Sequence, residues 1–280
     1  MATNADGTTA PPPPSTPAGF ARPRPLAHNL ASAVKVPAKI TAFFWAIKLL
    51  STAMGEALSD ALVHGVNQYL AVVLGFSAFA LAMVVQLRAR RYEPWKYWSA
   101  VAMVAVFGTM AADVLHIGLH VPYAASSVFY LVALAAILAL WYRTEGTLSI
   151  HSVYTKRREL FYWATVLATF ALGTAVGDLT ATTFKLGYLG SGVMFAVLFV
   201  VPGLAYWSAR VDGVLSFWVA YVLTRPLRAS FADWLGFSHS AGGTGLGHPL
   251  TALIFAVPIV ALVAYVAASH IDTPVRDQRQ

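Results

Sequence analysis

Ionisable side chains recur at intervals of four residues in the first long apolar segment of the chain. Lys48, Thr52, Glu56, Asp60 and His64 share this spacing, which predicts one slightly spiralling stripe along a helix. Carboxylate and imidazole groups bind divalent metals without thiolates, and grouped acids hold exchangeable protons. The stripe therefore indicates a helix face that is wet or paired with other polar groups.

Three later apolar segments carry similar groups, and they alternate with segments that offer little beyond Ser and Gly. The polar members are Thr109, Asp113, His116 and His120 in the third segment, Thr174, Asp178 and Thr182 in the fifth, and Arg225, Arg228 and Asp233 in the seventh. A charge near the middle of a bilayer costs several kcal/mol unless protein or water surrounds it. We therefore expect the odd segments to face the interior of a bundle and the even segments to face lipid.

The composition excludes an ordinary water-soluble domain. Of 280 residues, 58% are hydrophobic and only 11% are charged, against about 25% charged in a soluble domain. Nineteen basic and twelve acidic side chains are too few to cover a soluble surface of this size. The absence of cysteine excludes disulfides and thiolate metal sites.

The fold class that follows is an all-α integral membrane protein with eight transmembrane helices. Eight apolar segments approach the length of about 20 residues that a helix needs to cross a bilayer. Uninterrupted apolar runs such as 71–85 do not alternate, so they are not strands of a membrane barrel. The predicted spans are 40–63, 69–87, 97–119, 121–142, 160–184, 186–209, 214–235 and 249–270.

The basic residues predict the orientation. Lys and Arg cluster in the N-terminal tail, in alternate connections and at the C-terminus, whereas the opposite side receives at most Lys185. The positive-inside rule then places both termini in the cytoplasm. Residues 1–38, with four consecutive prolines, are predicted to be a disordered cytoplasmic tail, and residues 272–280 a second cytoplasmic tail.

The chain contains an internal repeat. Each odd segment begins with an aromatic residue followed by Trp, and an Asp follows fifteen positions after that Trp. The units are 39–96, 97–159, 160–213 and 214–271, each a pair of helices, so the architecture predicted is four parallel tandem helical hairpins. The Trp and Asp pairs are Trp45 and Asp60, Trp98 and Asp113, Trp163 and Asp178, and Trp218 and Asp233.

Ten positions after the Trp, the first three units carry Gly55, Gly108 and Gly173, which are predicted to allow close helix packing. The fourth unit carries Arg228 there and is the divergent one. Proline in the last two even segments, at Pro202 and Pro258, is predicted to kink both helices.

Four tandem two-helix repeats, each with a characteristic tryptophan, resemble a family of bacterial integral membrane proteins that is defined only as a repeat of unknown function. The resemblance covers residues 39 to about 270. It implies a bacterial inner (cytoplasmic) membrane protein, and it implies no activity.

The functional hypothesis is translocation of a small cation, with a divalent metal or a proton as first candidates. Asp60, Asp113, Asp178 and Asp233 would form a carboxylate ring in the outer leaflet, and Glu56 would be a deeper site. His64, His116 and His120 would lie beside the ring as metal ligands, and His239 and His248 could join them. Arg225 and Arg228 could neutralise Asp233 and confine the path to the first three repeats.

The main alternative is a membrane scaffold or sensor without transport, in which each Asp fastens neighbouring repeats. Lys48 and Glu56 could then satisfy each other through intervening groups. A further alternative is an electron-transfer protein in which two facing histidines hold a haem. Trp45, Trp98, Trp163 and Trp218 are predicted to be anchors at the membrane interface. No metalloprotease helix or nucleotide-binding loop is present, so no enzyme is predicted. The basic loops are interpreted as topology determinants that contact lipid and not nucleic acid. The sequence leaves the oligomeric state open.

Overall fold

The computed structural model describes residues 35–208 and 211–273. Within these residues the chain forms eight long helices and no strand, which confirms the predicted number and position of the helices. Their bounds are α1 Ala42–Gly65, α2 Gln68–Arg88, α3 Pro94–Asp113, α4 Tyr123–Glu145, α5 Lys156–Asp178, α6 Gly187–Trp207, α7 Gly213–Gly236 and α8 His248–Ser269.

Several helices begin where the sequence supplies a cap. The side chains of Thr41, Asn67, Thr155 and Asp212 accept hydrogen bonds from backbone N–H groups in the first turns of α1, α2, α5 and α7. Such caps satisfy donors that a helix N-terminus leaves unpaired. Three of the four odd helices, α1, α5 and α7, thus begin at a capped residue a few positions before the repeat Trp.

Repeats two and three end their odd helices in the same way. α3 continues into a π-helical turn, Val114–Gly118, and α5 into another, Leu179–Thr183, each directly after the repeat Asp. Each turn leads to a residue in the left-handed region, His120 or Lys185, at the same distance from the repeat Trp. α1 and α7 have no such turn, so the helix end beside the Asp differs between the two pairs of repeats.

Six of the eight helices are long and apolar enough to cross a membrane. The other two, α1 and α7, have similar lengths but each carries three charged residues, namely Lys48, Glu56 and Asp60, and Arg225, Arg228 and Asp233. The architecture is therefore that of a membrane-like helical protein in which α1 and α7 carry several charged residues away from their N-terminal turns.

The four odd helices form a closed ring in which α1 contacts α3, α3 contacts α5, α5 contacts α7, and α7 returns to α1. The predicted close packing at glycine is confirmed on three sides of this ring. A Cβ atom on Gly55 would overlap Ala105, one on Gly108 would lie 2.6 Å from the Cβ of Phe170, and one on Gly173 would overlap Arg225. Each glycine thus admits the next odd helix to close approach.

The even helices form an outer layer, and each packs chiefly on the odd helix of the following repeat. α2 lies mainly on α3, α4 on α5, and α6 on α7, while α8 lies on α1. Stacking of Phe79 of α2 on Phe107 of α3, with ring centroids 5.1 Å apart, is one such contact. The two helices of a repeat are consecutive and antiparallel, but they contact each other less than each contacts a neighbouring repeat. The last repeat packs on the first and closes the circle.

Burial follows the alternation that the sequence predicts. Most of α3 and α5 is buried, whereas α2, α4 and α6 expose large apolar side chains along most of their length. Large apolar side chains such as Val132 and Val197 are more than half exposed on this outer surface. A contiguous exposed apolar surface of this kind is typical of contact with lipid. The expected division into inner odd and outer even helices is confirmed.

The boundaries of the predicted tails need correction. Residues 35–38 were predicted to be disordered, yet Lys35 and Val36 are buried, and the backbone N–H of Ala38 donates to the carbonyl of Asp272 at 3.0 Å. Asp272, predicted to begin a free tail, is also buried. Apolar Val36 packs into the main core, which offsets the loss of chain freedom. Residues 1–34 and 274–280 lie outside the described residues.

Candidate functional site

The interior of the odd-helix ring is organised in five layers of four residues, one from each repeat. Counted from the repeat Trp, the layers lie at positions −1, 3, 7, 11 and 15. Residues four apart are about 6 Å apart along a helix and differ by about 40° in direction, so all five positions share one side of each helix. We call them the aromatic, lysine, arginine, glutamate and aspartate layers.

The members of each layer, in repeat order, are as follows. The aromatic layer is Phe44, Tyr97, Tyr162 and Phe217; the lysine layer Lys48, Val101, Val166 and Tyr221; the arginine layer Thr52, Ala105, Phe170 and Arg225; the glutamate layer Glu56, Thr109, Thr174 and Ala229; and the aspartate layer Asp60, Asp113, Asp178 and Asp233. Every member of the lysine, arginine and glutamate layers is buried. The aspartate layer opens: three of its four members are partly exposed.

A buried ion pair joins the first and fourth repeats at the centre of the ring. The Nη2 atom of Arg225 lies 3.0 Å from Oε2 of Glu56, and the two side chains are 1% and 4% exposed. Removing either partner would leave the other as an isolated buried charge, which costs several kcal/mol. The pair therefore fixes the relation of α7 to α1 and concentrates charge on the ring axis.

Arg225 contacts the backbone of all three other repeats at its own register. Its guanidinium donates to the carbonyls of Phe170 at 3.2 Å, Thr52 at 3.1 Å and Ala105 at 3.5 Å. These three residues are the other members of the arginine layer. One side chain thus spans the ring axis and satisfies its donors on every neighbouring helix.

Threonine supports Glu56 from the second and third repeats. Thr109 donates to Oε2 of Glu56 at 2.9 Å and Thr174 donates to the same atom at 3.4 Å. Arg225 also donates to both hydroxyl oxygens. Glu56 and the two threonines occupy equivalent positions in three repeats. One carboxylate therefore lies at the same level as two hydroxyl groups that bond to it.

This arrangement corrects two pairings considered from sequence. Arg225 pairs with Glu56 and not with Asp233, and its guanidinium lies across the ring axis between the first and fourth repeats. Lys48 does not satisfy Glu56: its ammonium lies over the rings of Phe170, at 4.0 Å, and Tyr221, at 4.1 Å. Both aromatic faces attract the cation through their quadrupoles.

The aspartate layer contrasts with the glutamate layer in lacking protein partners. Oδ2 of Asp60 lies 3.2 Å from Nδ1 of His248. Among the residues that the structure describes, the carboxylates of Asp113, Asp178 and Asp233 make no hydrogen bond or ion pair. All four groups lie within Coulombic range of Glu56. Since unpaired carboxylates so close together repel, they need water, protons or a cation.

The predicted histidine ligands are not brought together. His64 bonds the carbonyl of Asp60 and stacks on His248 with ring centroids 5.4 Å apart. His116 bonds the carbonyl of Val121, and His120 lies exposed in the following loop. Within residues 35–208 and 211–273, no group of three His, Asp or Glu side chains is arranged to hold a metal ion. The His and Asp metal site expected from sequence is not formed.

The repeat tryptophans are not lipid-facing anchors, which corrects the sequence interpretation. Trp98, Trp163 and Trp218 are 3–5% exposed and Trp45 is half-buried. They pack with the aromatic layer, where the hydroxyls of Tyr97 and Tyr162 lie 2.5 Å apart. Because the even helices already cover the outside of the ring, Trp98, Trp163 and Trp218 are enclosed by protein. We call this end of the bundle the Trp end and the opposite end the Asp end.

The Trp end is closed by the segment before α1. The ammonium of Lys35 lies 2.7 Å from Glu159 at the start of α5 and donates to the carbonyl of Leu87 at 3.1 Å. Gln86 donates to the carbonyl of Lys35 at 3.2 Å. A second tie joins Tyr92 to Asp272, where burial raises the pKa of the carboxyl and the hydrogen bond from Tyr92 opposes that shift. The interior is thus sealed at the Trp end and open at the Asp end.

Sequence reasoning identified Glu56 and the aspartates but missed the central role of Arg225. One signal was available: Arg225 occupies an interior register position at which the other repeats carry Thr, Ala and Phe. A charge that replaces small or apolar residues at an equivalent position indicates a special contact. Its partner could not be read from the sequence, because the nearest acid along the chain is Asp233.

The comparison with protein families agrees with this geometry. The family model described as Repeat of Unknown Function (DUF347) matches four times, at residues 43–92, 96–147, 161–212 and 216–272. The chain belongs to this repeat family. The four matches coincide with the four helix pairs of the structure. No curated protein and no solved structure matches the chain.

Proposed function

We propose that this protein of the DUF347 repeat family is a secondary transporter or channel for a small cation, which moves along the axis of the odd-helix ring. In this proposal all eight helices span a bacterial inner membrane, and the Trp end faces the cytoplasm. The eight similar helix lengths support the first point, and α1 and α7 bury four of their six charged side chains, namely Lys48, Glu56, Arg225 and Asp233. The clustering of Lys and Arg in the connections at the Trp end supports the second.

One observation carries the proposal: three carboxylates that have no partner among the described residues lie one helical turn beyond the buried ion pair of Glu56 and Arg225. Structural carboxylates inside a bundle would be expected to bind neighbouring helices, as Glu56 does through Thr109, Thr174 and Arg225. Asp113, Asp178 and Asp233 have no such bonds among the described residues. Their free oxygens can receive a cation that enters from the Asp end.

The ion pair then acts as the gate. A proton or metal ion that reaches Glu56 competes with Arg225 for the same carboxylate oxygen, because both neutralise its charge. Loss of the pair frees the guanidinium from one acceptor while its three backbone acceptors remain. The cation path and the contact between the first and fourth repeats are thereby coupled.

The alternative of a scaffold or sensor without transport is supported by one contact. Asp60 lies against His248 at the start of α8, and this contact joins the first and last repeats at the Asp end. Such a tie is what a structural Asp would make. It concerns one of the four aspartates, and it does not account for the other three.

Purified full-length protein in liposomes tests the proposal, with internal dyes that report protons or divalent metals. We expect flux of at least one of these ions in the wild type and its loss in Glu56→Gln, which keeps the hydrogen-bonding shape but removes the charge. Glu93→Gln is the matched control, because Glu93 lies outside the ring in a half-exposed pair with Lys96. No flux of any tested ion, or equal flux in both variants, would contradict the proposal.

A further inference from the structure

A cavity of about 1130 Å³ lies beside the ring at the Trp end, and Phe217 is the one layer residue that lines it. Its walls come from the start of α1, the second half of α6, the start of α7 and the connection between α4 and α5. The side chains that matter here are Trp45, Phe199, Pro202, Gly203, Ser216 and Phe217. This volume is at or above the upper end of the range for sites that hold small molecules.

The shape of the cavity follows from local sequence. Pro202 breaks the hydrogen-bond ladder of α6, and Gly203 beside it has no side chain; a Cβ atom there would meet nothing within 4 Å. Trp45 of α1 packs against Phe199 of α6 and Phe217 of α7, with ring centroids 5.9 and 5.7 Å away. Three helices thus contribute an aromatic part of the cavity wall.

A buried hydroxyl in the cavity lacks a hydrogen-bond partner, and a nearby carbonyl in α6 lacks its usual helical donor. The Oγ atom of Ser216 is buried and has no hydrogen-bond partner, and the residue is 7% exposed. Pro202 has no N–H to donate to the carbonyl of Leu198, four residues earlier. An unpaired buried hydroxyl costs free energy, so the site suits a ligand with an apolar body and a polar group.

We propose that this cavity binds one acyl chain of a membrane phospholipid, with the glycerol ester region near Ser216. Several residues that line the cavity are also exposed on the outside of α6: Val200 is 53%, Leu204 56% and Trp207 85% exposed. A lipid beside α6 can therefore enter sideways. An empty apolar cavity of this size would be unfavourable in contact with water, and an acyl chain buries its walls. The inference rests on the membrane location and not on cation transport.

Native mass spectrometry of the detergent-purified full chain tests this site, with a dioleoyl phosphatidylethanolamine as the added probe. We expect the wild type to retain one lipid at collision energies that remove loosely held lipids. Gly203→Leu adds a side chain at a cavity-lining position where a Cβ atom would meet nothing within 4 Å, and a leucine favours a helix more than glycine does. Retention should fall by about tenfold in this variant.

Gly190→Leu is the matched control, since Gly190 lies on the same helix but does not line the cavity. It should retain the lipid as the wild type does. Ser216→Ala should weaken retention by a smaller factor, and thermal unfolding followed by circular dichroism verifies that all variants are folded. Equal retention in Gly203→Leu and the wild type, equal loss in Gly190→Leu, or a wild type that holds only detergent would overturn the site.

Discussion

The two halves of the ring interior use the same four helices and the same register but differ in how they satisfy their polar groups. At the Trp end, Lys48 lies between two aromatic rings, Tyr97 bonds Tyr162, and Lys35 bonds Glu159 across the opening. At the Asp end, the carboxylates of Asp113 and Asp178 lie within Coulombic range of each other. Neither has a hydrogen-bond or ion-pair partner among the described residues. Between the halves lies the Glu56 and Arg225 pair.

This difference shows that the repeated residues build a common scaffold. The residues that differ between repeats provide the central ion pair. The aspartate layer is the same residue in four repeats, so by itself it could be structural. The glutamate and arginine layers are asymmetric, because only the first repeat carries the acid and only the fourth the base. The two asymmetric layers thus hold the buried ion pair at the centre of an otherwise repetitive ring.

The largest expected effect comes from breaking the central pair. Arg225→Met should lower the free energy of unfolding by about 3–5 kcal/mol, because it leaves Glu56 ionised, buried and without its cation. Unfolding of the detergent-solubilised protein, followed by circular dichroism, measures this effect. Combining it with Glu56→Gln should recover much of the loss. A double variant less stable than both single variants would show that the two residues act independently.

The ring packing predicts the next largest effect. Gly108→Ala places a methyl group 2.6 Å from the Cβ of Phe170 and should lower stability by about 1–3 kcal/mol. Gly65→Ala, near the end of α1, meets nothing within 4 Å and should instead raise stability slightly. The same unfolding assay compares the two. Equal changes in both would mean that the odd helices are not in close contact at Gly108.

The closed half predicts a smaller effect. Tyr97→Phe keeps the aromatic ring but removes one hydroxyl of the buried pair with Tyr162, which should cost about 0.5–1.5 kcal/mol. Tyr142→Phe is the control, since Tyr142 is 59% exposed, and it should change nothing measurable. A Tyr97→Phe variant as stable as the wild type would contradict the tight packing of the Trp end.

The open half predicts the smallest effect on stability together with a functional loss. Asp178→Asn removes a charge that has no partner among the described residues, so stability should stay within about 1 kcal/mol of the wild type or rise. Ion flux in liposomes should fall in the same variant. A strongly destabilised Asp178→Asn would instead identify the residue as a structural fastener.

Periodicity and register predicted most of the architecture, for physical reasons. A helix in lipid must bury its charges in protein, so the four-residue stripes that begin at Lys48 and Thr109 identified the inner helices. The constant offset between Trp and Asp identified the repeat, and Gly55 identified a point of close packing. These features depend on spacing within one segment, which a sequence displays directly.

Contacts between segments could not be predicted in the same way. The choice of Glu56 over Asp233 as the partner of Arg225 depends on closure of the ring across 169 residues of chain. The burial of Trp98 depends on even helices that pack on the next repeat and cover the outside. The order at Lys35 depends on Gln86 near the end of α2 and Glu159 at the start of α5, both far from Lys35 along the chain.

Water access to single cysteines tests the central claim most directly, because the natural chain has no cysteine. Asp178→Cys in the aspartate layer and Val166→Cys in the lysine layer lie on the same helix and the same side of it. In intact cells, a charged membrane-impermeant thiol reagent added outside should modify Asp178→Cys and leave Val166→Cys unmodified. A folded Asp178→Cys that resists the reagent as completely as Val166→Cys would contradict a shared, open chamber at the Asp end.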